Sequence, residues 1–280
     1  MNADLSNDDV IDSPRPHAAR PARVRFAAQG GPPPHPAQNL LLANLISAGI
    51  DALLPLLEGV SLPVGLALYE AGEVQRYVHF PTCGIASLTQ LLENGDATEY
   101  AVTGREGLVG TAFFMGGASS LSSAVVVSAG YAYRIRSGDL KKALEGNSAL
   151  RLLLLRYTQA LITQMAQTAV CNRFHAVDQR LARRLLLSLD RLPSNIVDVT
   201  QETLAGMLGV RREGVTEAAG QLQRDGLIRY SRGLITVLDR PGLEARACEC
   251  YRVVRREYAR LMPADPGIPT APVHWHARPT

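Results

Sequence analysis

Long apolar runs are missing from this chain of 280 residues, although 46% of it is hydrophobic. No stretch reaches the ~18 consecutive apolar residues of a membrane span, and the amino-terminal stretch is acidic and proline-bearing, without the apolar core of a signal peptide. A cytoplasmic protein with no membrane partner is expected. Cysteine is scarce: Cys83, Cys171, Cys248 and Cys250 are too few and too scattered for a disulfide framework. Cys248-Glu249-Cys250 lacks a second ligand pair nearby in the sequence, so no metal is expected there and no cofactor elsewhere. No cysteine precedes Cys83, which excludes an iron–sulfur cluster held by an amino-terminal arm. Histidine is scarce as well. His79 stands alone between residues 39 and 146, where a metal-dependent enzyme needs two or three histidines converging with a carboxylate. His175, His274 and His276 offer no positioned base for a serine nucleophile, so no enzyme is expected. Lysine is nearly absent; Lys141 and Lys142 are the only two.

Arginine takes lysine's place, and it is unevenly spread. Residues 171–262 hold sixteen arginines against eleven acids, a balance of +5, while residues 39–170 carry eight basic residues against ten acids, or −2. That asymmetry says where a polyanion would bind. Arginine suits both bidentate guanine contacts and phosphate contacts.

The motif in the basic half is TQETLAGMLGVRREGVTEAAGQLQRDGLIRYSRGLITV, residues 200–237. A short helix fits Gln201–Leu208, with Thr200 as its cap and Glu202 in the first turn, where the helix dipole favours an acid. Small Ala205 lets a second helix cross closely, and Gly209 suits a tight turn. The second helix runs from about Arg211 to Arg224. Val215, Ala218, Ala219 and Leu222 share one face; Arg212, Glu213, Thr216 and Glu217 share the other. Leu227-Ile228 and Leu234–Val237, joined through Arg229–Gly233, form a hairpin with a basic tip carrying Arg229 and Arg232. A helix–turn–helix followed by such a wing puts its second helix into the major groove of double-stranded DNA. A helical hairpin inside another domain gives a similar pattern; Ala205, Gly209, Val215 and the basic wing together favour DNA binding.

Composition divides the rest. Residues 1–38 and 263–280 are proline-rich and expected to be disordered. Asn39–Leu57 reads as helix. Glycine then punctuates short apolar strands at Arg76–Phe80, Gly84–Leu91, Glu99–Val102, Ser123–Val127 and Ala129–Ile135, an antiparallel, jelly-roll-like β-roll spanning 39–146. Ser137-Gly138-Asp139 reopens helical sequence. A long helix, 147–170, carries Leu150, Leu154, Tyr157, Leu161, Met165 and Thr168 at alternating spacings of four and three, the seam of a two-stranded coiled coil. Leu152, Leu153, Leu155 and Ile162 form a second face, able to lie on the roll. A helix buried within one monomer would look similar; the homodimer seam is preferred because winged helix–turn–helix proteins most often read DNA as symmetric pairs. Residues 171–262 form the DNA-binding domain, ending in an extra amphipathic helix over Gly242–Met262 that Pro241 opens. That helix packs on the winged domain, with flanking phosphate or RNA polymerase as the other candidates. The fold class is α+β.

Roll, long helix and winged helix–turn–helix in this order resemble the Crp/Fnr family of transcription regulators. The resemblance rests on Gly104-Arg105-Glu106-Gly107-Leu108-Val109-Gly110, on Val177-Asp178-Gln179-Arg180-Leu181-Ala182, and on the helix–turn–helix itself. It implies a homodimer reading a palindromic operator through an arginine–glutamate pair, which falls on Arg212 and Glu213. Independently, arginine can donate twice to guanine and glutamate can accept from cytosine. Two positions depart from the family: Arg211 stands where a capping serine is common, and Glu217 where several members carry a base. The sensor end departs further. Gly110-Thr111 and Ser122-Ser123-Ala124 replace the family's Gly-Glu and Arg-Ser/Thr-Ala, so the acid for a ribose hydroxyl and the arginine for a cyclic phosphate are both missing. A buried phosphodiester without a cation is poorly compensated. Arg105 and Glu106 are read as a surface ion pair rather than as substitutes. Cyclic-nucleotide sensing is not expected, and a different small effector stays open. A dimeric protein-interaction module with weak or non-specific DNA binding is the alternative reading.

Overall fold

A computed structural model describes residues 34–93 and 95–262. Most of the two expected disordered ends lies outside them, but Pro36–Gln38 already forms a 3-10 turn. The expected first helix is two pieces. Helix α1, Leu40–Ser47, stops where Gly49 takes a left-handed φ of 69°, and a 3-10 stretch covers Asp51–Leu56. Asn39 caps α1, accepting from Leu41 and Leu42, while its amide donates to the Pro81 and Gly107 carbonyls and anchors the helix to the roll.

The roll is antiparallel throughout, as the strand pattern requires. Strand β5, Ser123–Arg136, pairs with β1, Glu58–Leu62, with β2, Ala67–Tyr69, and with β3, Tyr77–Leu91; β3 also pairs with β4, Ala97–Thr103. β1 and β2 escaped the sequence reading. Two expected breaks are not strand ends: β3 and β5 run on through bulges around Pro81–Ile85. An inserted residue relieves the ladder there, so Pro81, which has no N–H to donate, is tolerated inside a strand.

Helix α2, Ser137–Glu145, leads into α3, Ser148–Phe174. Here the sequence expectation is reversed. Leu150, Leu154, Tyr157 and Leu161 are each at most 2% exposed and lie in the roll's own core with Leu41, Val78, Phe80 and Leu108. Tyr157 fixes the orientation: its hydroxyl donates to the Leu108 carbonyl at 2.8 Å, and a Cβ on Gly107 would collide with its ring. The glycine-rich stretch therefore makes room for α3. Of the face expected to lie on the roll, only Leu153 packs against that core; Leu152, Leu155 and Ile162 are open, at 50, 53 and 47% exposed, and Val170 and Phe174 continue the stripe.

Helix α4, Val177–Leu189, opens the second half. Strand β6, Ile196–Asp198, follows, then α5, Gln201–Leu208, α6, Arg212–Arg224, β7, Ile228–Ser231, and β8, Leu234–Val237. The sheet order is β6-β8-β7, with β6 a strand that the sequence reading missed. The expected terminal helix is again two: α7, Arg240–Arg246, capped by Asp239, and α8, Glu249–Leu261, separated by the extended residues Ala247 and Cys248. α8 does not rest on the winged domain alone. Tyr251 and Val254 join its core, while Met262, Tyr258 and Leu261 reach the roll core, with Tyr258 edge-on to Tyr157. Ile85 and Val102 of the roll sheet are likewise packed into the core of the second half.

Candidate nucleic-acid interface

Local chemistry builds the helix–turn–helix. The Thr200 hydroxyl accepts from the Thr203 N–H at 3.1 Å, capping α5. Gly209 ends α5 at φ 60°, ψ 44°, a conformation open to glycine at little cost, and the chain turns directly into α6. Val215, Ala218, Ala219 and Leu222 are buried against Leu204, Ala205 and Leu208, which leaves the opposite face of α6 in solvent. Arg211 occupies the α6 cap position and makes no side-chain cap bond. No side chain of the cap residue therefore occupies the first-turn N–H groups of α6, and anions are stabilised at such a terminus.

All eight residues singled out from the sequence, Thr200, Arg211, Arg212, Glu213, Thr216, Glu217, Arg229 and Arg232, are exposed. Thr200, Gln201, Arg212, Tyr230, Ser231 and Arg232 line one open groove between the start of α6 and the wing. One placement needs correction: Arg229 lies within strand β7, not at the tip, because the turn closes on two residues, Arg232 (φ 51°) and Gly233 (φ 80°). Two contributors escaped the sequence reading. The Gln201 side-chain oxygen accepts from Thr216 Oγ1 at 3.1 Å and Arg212 Nε at 3.5 Å, so it steadies the arginine. Tyr230 donates its hydroxyl to the Val199 carbonyl and braces the wing. Neither contact has a local signal, since each joins residues eleven or more apart.

Part of the positive charge of the second half is spent within the protein. Arg184, Arg191, Arg240 and Arg246 are consumed by ion pairs with Glu99, Glu106, Asp190 and Asp178. Among the described residues, Arg211, Arg212, Arg229 and Arg232 form no ion pair.

A family profile, the Crp-like helix-turn-helix domain, matches residues 179–246. This chain carries a Crp-like DNA-binding domain. No curated protein matches the chain. Among solved structures, FixK2 from Bradyrhizobium japonicum is 16% identical, with 69% of this chain and 98% of that one covered at a TM-score of 0.57. A transcriptional regulator of the crp/fnr family from Eubacterium rectale is 18% identical, with 74% and 96% covered at 0.59. The c-di-GMP responsive global regulator CLP of Xanthomonas campestris is 16% identical, with 69% and 99% covered at 0.56. Sheet domain, long helix and Crp-like domain together make the Crp/Fnr fold, and no described helix is long and apolar enough to cross a membrane.

On the sheet-domain side of this Crp/Fnr fold, the candidate pocket residues are scattered in role. Gly110 takes φ 115° at the head of a 3-10 turn that begins with Thr111. Ser122 is buried, and its hydroxyl accepts from the Tyr100 hydroxyl at 2.8 Å and shares a 2.7 Å bond with Ser120. Ser123 accepts from the Ala71 N–H. The expected surface pair of Arg105 and Glu106 does not form. Glu106 turns inward and accepts from Arg191 of the Crp-like domain at 2.6 and 2.8 Å. A second carboxylate, Glu99, does the same with Arg184. The sequence could not reveal these pairs, because each joins residues 85 apart. The expectation that Cys248 and Cys250 lack companion ligands is overturned too. Cys171 and His175, from the end of α3, stand beside them, with all four ligand atoms within 4.8 Å of one another.

Proposed function

We propose that this protein is a homodimeric, sequence-specific transcription regulator that reads a palindromic operator through α6. The observation that carries the reading is the groove that Arg212, at the start of α6, and Arg232, at the wing tip, line together with Thr200, both arginines exposed and free of ion pairs. Arg212 and Glu213 read base edges, while Thr200, Arg211, Thr216, Arg229 and Arg232 position the domain on phosphates. Glu217, on the same face, selects against phosphate and favours a cytosine amine.

The second subunit docks along the open stripe of α3, Leu152, Leu155, Ile162, Val170 and Phe174. Its successive spacings of three, seven, eight and four residues follow one helix face, and burying each aliphatic side chain there contributes about 1.5–3 kcal/mol. Two α6 helices about one duplex turn (~34 Å) apart then meet half-sites about ten base pairs apart.

Cyclic nucleotides are not the effector. Thr111 and Ser122 are neutral, and Ser122 already spends its hydroxyl on Tyr100 and Ser120. The roll serves as a scaffold or takes a less charged ligand near Phe113, Phe114 and Met115. Selection of bound sequences from a random DNA pool tests the whole reading. A two-fold symmetric motif supports it; capture without sequence preference favours the protein-interaction module instead.

A further inference from the structure

The end of α3 and the start of α8 bring together four side chains that DNA reading does not use. Cys171 and His175 lie one helical turn apart, and Cys248 and Cys250 flank the first residue of α8. All three thiols are buried, at 1, 3 and 1% exposure. Cys171 Sγ lies 3.5 Å from Cys248 Sγ, and Cys250 Sγ lies 3.6 Å from His175 Nδ1. We propose that Cys171, His175, Cys248 and Cys250 bind a single zinc ion and clamp α8 to the end of the long helix.

The distances fit the ion's size. Zinc–sulfur bonds of about 2.3 Å and zinc–nitrogen bonds of about 2.0 Å make tetrahedron edges of about 3.5–3.8 Å; the Cys171–Cys248 and Cys250–His175 separations of 3.5 and 3.6 Å match these edges, and all four donor atoms lie within 4.8 Å of one another. An iron–sulfur cluster spreads its ligands over several irons with sulfides between them and needs a wider cage than four donor atoms within 4.8 Å of one another. Three thiolates and an imidazole in a tetrahedron suit zinc, which has no geometric preference of its own.

Two features around the donors point the same way. His175 Nε2 lies 3.4 Å from a Glu249 carboxylate oxygen, so Nδ1 is the nitrogen left facing the thiols. A carboxylate behind a ligating histidine fixes its tautomer and raises its basicity. Arg180 and Arg183 line the same cleft as Cys171, are 8 and 6% exposed, and form no ion pair among the described residues. The Nε of each lacks a hydrogen-bond partner. A buried guanidinium without an anion is costly, whereas zinc with three thiolates carries a net negative charge that these cations balance.

The test uses the full chain without an affinity tag, produced with zinc in the medium and purified under reductant without chelator. One zinc per chain by elemental analysis is expected, with three of the four thiols shielded until a chelator strips the metal and lowers the unfolding temperature. Cobalt(II) exchanged into the site should give a tetrahedral ligand-field spectrum with a thiolate charge-transfer band. Cys248→Ser with Cys250→Ser should lose metal and band together. Should that variant fail to fold, His175→Cys still decides, since it should keep the metal and strengthen the charge-transfer band. Zinc well below stoichiometry with all thiols reactive before chelation overturns the proposal, and so does iron with acid-labile sulfide in its place.

Discussion

Arg184 of α4 grips Glu99 of β4 with its Nε and Nη2 at 2.5 and 3.1 Å from the carboxylate oxygens, and both side chains are only 7% exposed. Ser87 donates to the same carboxylate at 2.6 Å, and Ser188 accepts from Nη1 of the arginine. A roll strand and the first helix of the second half are thus joined by a charge pair that has lost its water. Breaking such a pair from one side strands a buried charge, at a cost of about 3–5 kcal/mol. Glu99→Ala should therefore lower stability by about that amount in urea unfolding. Glu99→Leu combined with Arg184→Leu should recover most of the loss. Equal losses in the single and double variants would show that the pair itself is not what matters.

The two faces of α3 predict opposite phenotypes. Leu155→Glu with Ile162→Glu places charge on the open stripe and should give folded monomers by light scattering, with helicity retained. Leu154→Glu with Leu161→Glu puts two carboxylates into the roll core, where both residues are at most 2% exposed, and should abolish folding. A monomeric unmutated protein at micromolar concentration defeats the dimer.

Base reading and phosphate contact separate by their signatures. Arg212→Ala should cost about 1–3 kcal/mol and relax preference at one base pair of each half-site. Arg232→Ala, at the wing tip, should weaken all sequences alike and reduce the salt slope by about one. Binding titrations on the selected operator and its single-base variants, at several salt concentrations, distinguish the two. A uniform loss for Arg212→Ala would make it a phosphate contact.

His79 makes the fold sensitive to acid. Burial in the roll, aided by the nearby Arg134 charge, pushes its imidazole down to about 4, from 6.5 in the unfolded chain. Its neutral form is the one that folds, so its contribution is complete above pH 6.5 and is lost as pH falls towards 4. By pH 5 the loss is about 2 kcal/mol. Urea unfolding at neutral pH and at pH 5 should show a smaller acid penalty in His79→Gln than in the parent. Identical penalties would rule His79 out as the source.

For the roll, calorimetry with cyclic AMP and cyclic GMP should give no binding tighter than millimolar. A hydrogen bond to a charged partner contributes about 1.5–3 kcal/mol, and millimolar affinity corresponds to about −4.1 kcal/mol. Micromolar binding that also tightens the operator complex would reverse this conclusion, and Arg105 would be the first residue to replace.

The sequence by itself determined what local chemistry controls. Gln201–Leu208, the Thr200 cap, the Gly209 turn and the buried face of α6 follow from capping, left-handed glycine and the helical repeat, all of which act within a few residues. Tertiary structure alone decided which apolar face of α3 meets the roll, because the two stripes are alike in hydrophobicity; the room left by Gly107 for the Tyr157 ring selects between them. It also decided where Glu99 and Glu106 spend their charge. Above all it brought Cys171 to Cys248, 77 residues away, by folding α8 back along α3. No periodicity or spacing encodes such a meeting, since it depends on how separate elements stack once their apolar faces are buried.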